Sequence, residues 1–183
     1  PIPSATSQSR SPSPTPQSFE NLLASLPDKI EVNGEINQTL RVLLAPADKA
    51  TKIIALLTAF PDFTTVDYFD ARSGLPTLDL LKTYDLVMTW PNYQYFDAIG
   101  MGNMLADYVD QGGNVLLGVF SHGSGSWALK GRIKGATYTP FGGGGSTHFK
   151  DANLGVHDAS HQMMDGITSL KEFFRDTPLT LNT

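Results

Sequence analysis

The residues best placed to do chemistry are a serine and a histidine side by side, Ser121 and His122, in the run GGNVLLGVFSHGSGS from Gly112 to Ser126. The apolar stretch NVLLGVF reads as a buried strand that delivers them into a glycine-rich loop, where many α/β enzymes hold a nucleophile. A serine nucleophile needs a strained turn that presents its oxygen, a base within hydrogen-bond reach and backbone N–H groups for the oxyanion. VFSHG fits the nucleophile pattern G-x-S-x-G only with Val119 in place of the first glycine, which argues against that turn. His148, His157 or His161 could act as base, with Asp151, Asp158 or Asp165 to orient it, and the spacing selects none of them. The competing reading is that Ser121 and Ser124 satisfy backbone groups in a tight polar loop, as serines in turns commonly do.

A second constellation is HDASH, with His157 and His161 four residues apart. On a helix this spacing can share a metal. Gly155 before it and DGI after it point instead to a loop or single turn, and the third ligand, whether His122, His148 or an aspartate, is not specified. No metal and no cofactor is expected. The glycine run Gly142 to Gly145 and the GSGS segment lack the strand-to-helix context and the lysine of a phosphate-binding loop, so they read as flexible loop. Gly100 and Gly102 fall early in a helix, where each costs about 1 kcal/mol relative to alanine. Close backbone approach, to the sheet or to a ligand, is expected there.

The elements that must position these residues follow a regular alternation. RVLLAP from Arg41 is a short apolar strand. DKATKIIALLTAFP follows as a helix, with Ala50, Ile53, Ile54 and Leu57 on one face, Asp48 as N-cap and Pro61 as stop. TTVDYFDARSG gives a second strand, TLDLLKTY a helical connector and DLVMTWPN a third strand. In DAIGMGNMLADYVDQGG, residues Met101, Met104, Leu105, Tyr108 and Val109 form an apolar helical stripe closed by Gly112 and Gly113. NVLLGVF is the fourth strand. Uniformly apolar strands alternating with helices imply right-handed crossovers and a parallel sheet buried on both faces. The expected fold is α/β, a three-layer doubly wound, flavodoxin-like sheet with helices on both sides.

Ligands of such sheets sit outside the carboxyl ends of the strands. The loops there are residues 45–48, 69–74, 89–96 and 120–127. They bring Trp90, Asn92, Tyr93, Ser121, His122 and Trp127 to one rim, with Tyr95 and Phe96 nearby. Flat aromatic faces with hydrogen-bonding edges suit a sugar or another small polar ligand, unless they pack inward as a lid.

With 183 residues, 40% of them hydrophobic, the chain suits a single domain with a sizeable core. A formal net charge of −5 without a cluster of Lys or Arg gives no footprint for nucleic acid. The absence of cysteine excludes disulfides, thiolate metal sites and a cysteine nucleophile. No run approaches the roughly 18 apolar residues of a membrane span. Residues 1–18, PIPSATSQSRSPSPTPQS, carry too little apolar surface to offset the entropy of ordering and read as a disordered linker. They open without Met, so the start is read as internal or processed. Residues 19–40 supply a short helix, FENLLASL, and a connector. Linkers of this type favour an extracellular or cell-surface setting, with the cytoplasm as alternative. The tripeptide NQT at Asn37 matches a glycosylation sequon and reads as a chance occurrence.

The succession YDLVMTWPNYQYFDAIGMGNMLADYVDQGGNVLLGVFS, then LKGRI and HQMMDGITSL, resembles the class I glutamine amidotransferase-like superfamily. Within it, the nearer likeness is to the non-amidotransferase branch of ThuA-like domains and modules of bacterial surface proteins. The resemblance spans about Arg41 to Leu170 and rests on strands, glycines and the YVDQGG turn. In amidotransferases of that superfamily the turn after the fourth strand carries the nucleophilic cysteine, with a His-x-Glu pair further on. Here the turn reads Gly118, Val119, Phe120, Ser121, His122, Gly123, and no His-x-Glu occurs. The relatives' His-Pro turn has Gln162 after His161. Such relatives usually continue with further strands, so the domain over 41–183 is expected to be truncated, PLTLNT beginning a strand whose partner lies elsewhere. The functional expectation is a non-catalytic binding or architectural module of a larger exported protein, partnered by other domains of the same polypeptide and by a small polar or carbohydrate ligand. The alternative is a serine hydrolase using Ser121 with a histidine base.

Overall fold

A computed structural model describes residues 39–118, 120–142, 146–147, 152–172 and 175–176. The linker and helix expected over 1–38, the sequon at Asn37, Val119, Gly143 to Gly145, His148, Asp151 and the strand expected over 178–183 lie outside those residues.

The chain alternates as its apolar pattern demands. The order is β1 (Leu40–Leu44), α1 (Thr51–Thr58), β2 (Phe63–Tyr68), α2 (Leu78–Leu81), β3 (Leu86–Thr89), α3 (Ala98–Asp110) and β4 (Asn114–Leu117). The four strands form one all-parallel sheet in the order β2-β1-β3-β4. The direction of winding therefore reverses between β1 and β3, the switch point of a doubly wound sheet.

Alternation along the strands divides the core into two faces. Leu43 and Val87 point to one side, where they meet Leu81 of α2 and Met101, Leu105 and Tyr108 of α3. Val42 and Leu44 point to the other, against Ile53, Ile54 and Leu57 of α1. Helices on both faces complete a three-layer α/β, flavodoxin-like fold.

Two local expectations are corrected. Asp48 does not cap α1. The cap position is Ala50, with no side-chain hydrogen bond, while the Asp48 carboxylate accepts the Trp90 indole N–H at 3.1 Å. The fourth strand is not buried on both faces. It runs only from Asn114 to Leu117, and Leu116 is 45% exposed because α1 covers β1 and β2 but not the β4 side of that face.

The α3 glycines serve packing. A β-carbon on Gly102 would run into the Lys130 carbonyl, and one on Gly100 would meet the Asp97 carboxylate, which caps the helix by accepting the Ile99 and Gly100 N–H groups. The surface that approaches Gly102 is thus neither sheet nor ligand but the segment after β4. That segment ends in a single 3-10 turn, Arg132–Lys134, tied to α3 by Arg132, whose guanidinium reaches the carboxylates of Asp107 and Asp110. Beyond it, Ser146–Thr147 pairs antiparallel with Arg175–Asp176, and Ala152–Asn153 with Lys171–Glu172. Among the described residues no helix is long and apolar enough to cross a membrane.

Candidate functional site

The turn after β4 is where a nucleophile would be presented. Gly118 continues the ladder by donating to the Thr89 carbonyl at 2.8 Å, and the chain then reverses through Ser121 N–H to the Gly118 carbonyl at 3.2 Å. Phe120, with φ of 68°, is the single non-glycine residue of positive φ among the described residues. A bulky side chain in this left-handed region is strained, and such strain concentrates at functional sites. The strained position thus belongs to Phe120 and not to Ser121. Its ring is 8% exposed and packs edge-on against Trp127, with centroids 5.3 Å apart.

Ser121 follows the turn and is fully buried. Its hydroxyl faces the Thr89 carbonyl at 3.5 Å, and its own carbonyl accepts the Lys134 ammonium at 2.8 Å. No described histidine comes within hydrogen-bond distance of that hydroxyl. The neighbouring side chain, His122, is 6% exposed. Its Nδ1 lies 3.4 Å from Lys134 Nζ, and its ring meets Phe141 edge-on at 6.1 Å. Burial, and then the Lys134 charge, hold the His122 pKa below the usual imidazole value.

The buried serine and histidine are joined by a polar set below the strand ends. Thr89, fully buried, donates or accepts with the Tyr95 hydroxyl at 2.8 Å and lies as close to the Ala45 carbonyl. Burial pushes the Tyr95 phenol well above its usual pKa, so it stays neutral. These groups hold one another and stitch β1 to β3.

The open space lies on the other face. A groove of about 570 Å³ runs beside the start of α1 at the switch point, between Asp48, Lys49 and Lys52 on one wall and Met88, Trp90 and Leu116 on the other. Its floor is apolar and its rim carries the two exposed lysines. Gly118 leaves room for Trp90 here, since a β-carbon at 118 would stand 3.0 Å from the Trp90 β-carbon.

The residues assigned to one rim are thereby distributed. Trp90 belongs to the groove. His122 lines a separate cavity of about 370 Å³ at the outer edge of β4. Tyr93 is 55% exposed under the Arg72 guanidinium, which stands 5.5 Å from its ring and pairs with Asp70 at 2.6 Å. Asn92 is exposed beside it and Trp127 packs on Phe120. The loops do meet, through Gln94 and Ser126 at 3.4 Å.

His157 and His161 are both exposed. Each ring serves its own turn: His157 Nδ1 lies 2.9 Å from the Gly155 carbonyl, and His161 Nδ1 accepts the Met163 N–H at 3.1 Å. No group of three or more metal-binding side chains occurs among the described residues.

Lys134, Lys49 and Lys52 were not singled out by sequence, and no spacing marks them. The displaced turn did carry a signal. The glycine missing at 119 stands at 118, and counting the pattern from Gly118 places Phe120, not Ser121, at its centre. No family model matches the chain, and no curated protein and no solved structure is significantly similar to it.

Proposed function

We propose that this domain is a non-catalytic, amidotransferase-like binding or architectural module of a larger exported protein. The observation that carries the reading is Phe120 at the strained turn, with Ser121 buried behind it. A phenyl ring stands where a nucleophile would be displayed, so a reaction centre built on this loop lacks its reacting atom. The groove at the switch point takes the ligand. Its indole face at Trp90, apolar floor and lysine rim suit a small polar molecule such as a sugar, gripped by stacking and edge hydrogen bonds.

The test is covalent labelling with a serine-directed fluorophosphonate, read by intact mass. The module stays unlabelled, and hydrolysis of activated esters stays at the buffer rate. Labelling at Ser121 that disappears in Ser121→Ala would replace this reading with a hydrolase.

A further inference from the structure

The cavity at the outer edge of β4 holds an unused donor. Its lining mixes apolar side chains, including Val115, Leu117, Ile133 and Phe141, with the polar Asn114, Tyr138 and Thr139, and His122 is the buried imidazole among them. Lys134 fixes the state of that ring. An ammonium has only protons to give, so its approach to Nδ1 at 3.4 Å requires Nδ1 to accept. In the neutral ring the proton then sits on Nε2. With Nδ1 and the ring edge accounted for by Lys134 and Phe141, Nε2–H has no acceptor among the described residues. A donor on a side chain 6% exposed is costly to leave unpaired. The same ammonium, by drawing density from Nδ1, makes Nε2–H a stronger donor and adds positive potential to the wall.

We propose that this cavity is a second ligand site, distinct from the groove at the switch point, that takes a small carboxylate with an apolar body. The carboxylate oxygen accepts from His122 Nε2, and the body lies against the strand edge and Phe141. Lys134 is a positioning residue, acting through the tautomer of His122. About 370 Å³ accommodates a molecule the size of a substituted benzoate with room for water. Nothing in this assignment depends on the groove or on whether Ser121 reacts.

The probe is benzoate, titrated into the full 183-residue chain while long-range nitrogen–proton correlation spectra follow the ring nitrogens of His122. Before titration Nδ1 should show the unprotonated signature and Nε2 the protonated one. Benzoate at millimolar concentration should then move Nε2 saturably, whereas benzyl alcohol, which keeps the ring and lacks the carboxylate, should move it at least tenfold less at equal concentration. His122→Phe should weaken benzoate binding tenfold or more by calorimetry. Lys134→Met should weaken it severalfold and mix the two tautomers, and Lys134→Arg should restore the tautomer. An Nε2 resonance unmoved by benzoate, or moved equally by benzyl alcohol, overturns the site, and this readout in the unaltered chain holds even if a variant fails to fold.

Discussion

The two faces of the sheet are built from the same kinds of residue and end up in different states. On one, α3 buries Met101, Gly102, Leu105, Ala106 and Tyr108, and α2 adds Leu81. On the other, α1 is eight residues long and buries none completely, leaving Leu116 of β4 in the open. The groups with reactive chemistry, Ser121 and His122, are buried on the covered side or at its edge, and the open groove offers a tryptophan and two lysines. The covered side is thus the better packed of the two, and the Ser121 hydroxyl has no histidine within hydrogen-bond distance among the described residues.

The sharpest way to break this contrast is to truncate one leucine on each side. Leu105 is fully buried, so Leu105→Ala should cost about 3 to 5 kcal/mol. Leu116→Ala, at a position already 45% exposed, should cost about 1 kcal/mol or less. Urea denaturation of both variants reads the difference. Comparable losses would mean that the groove is filled in solution.

That contrast also marks what could be read from sequence. The strand order of residue types was legible because RVLL, DLVMT and NVLL are apolar runs separated by helical stripes, and periodicity follows directly from backbone geometry. Which face of NVLL is covered was not legible. Leu116 and Leu117 are the same residue type, and only the reach of α1 across the sheet distinguishes them. The backbone conformation of the turn was not legible for a related reason. The turn is set by φ at Phe120, and nothing in a phenylalanine advertises a left-handed backbone. Asp48 was misread because a carboxylate before a helix signals a cap, and tertiary contact with Trp90 outcompeted it.

The turn itself gives the next prediction. Phe120→Ala should cost about 3 to 5 kcal/mol, as expected for a ring packed on Trp127. Phe120→Gly should cost no more, and by as much as about 1 kcal/mol less, because glycine accepts the left-handed backbone that alanine resists. The usual order, with glycine the worse of the two, would show that the strain is absent. Melting curves of the two variants decide it.

A smaller effect separates the covered edge from exposed sites by pH. His122 has a depressed pKa, from burial first and the Lys134 ammonium second, so the folded chain resists a proton that the unfolded chain accepts near about pH 6.5. Below that pH the unfolded state binds more protons, and stability must fall as pH falls; above it this group contributes no slope. Asp70, held low by its hydrogen bonds to Arg72, loses its contribution only in the carboxylate range, below about pH 4. Urea midpoints between about pH 7.5 and 5.5 therefore isolate the histidine, and His122→Phe should flatten the slope. Stability that rises toward pH 5.5 would contradict the buried neutral ring.

The smallest expected effect is at Ser121. The Ser121 hydroxyl is buried but reaches the Thr89 carbonyl only at 3.5 Å, the weak end of hydrogen bonding. Deleting it removes one poor bond, and the acceptor left behind still holds the N–H of Gly118 at 2.8 Å. Ser121→Ala should accordingly lower stability by less than about 1 kcal/mol, below the mean for a buried hydrogen bond. The backbone contact from Lys134 to the Ser121 carbonyl is untouched by the substitution, so the His122 tautomer should be untouched as well. A catalytic serine would give a different pair of results, near-unchanged stability with a hydrolytic rate reduced by several orders of magnitude. Chemical denaturation together with an ester-hydrolysis assay distinguishes the two outcomes. A loss of about 2 kcal/mol or more would instead place a shorter, stronger bond at this hydroxyl than the 3.5 Å contact supplies.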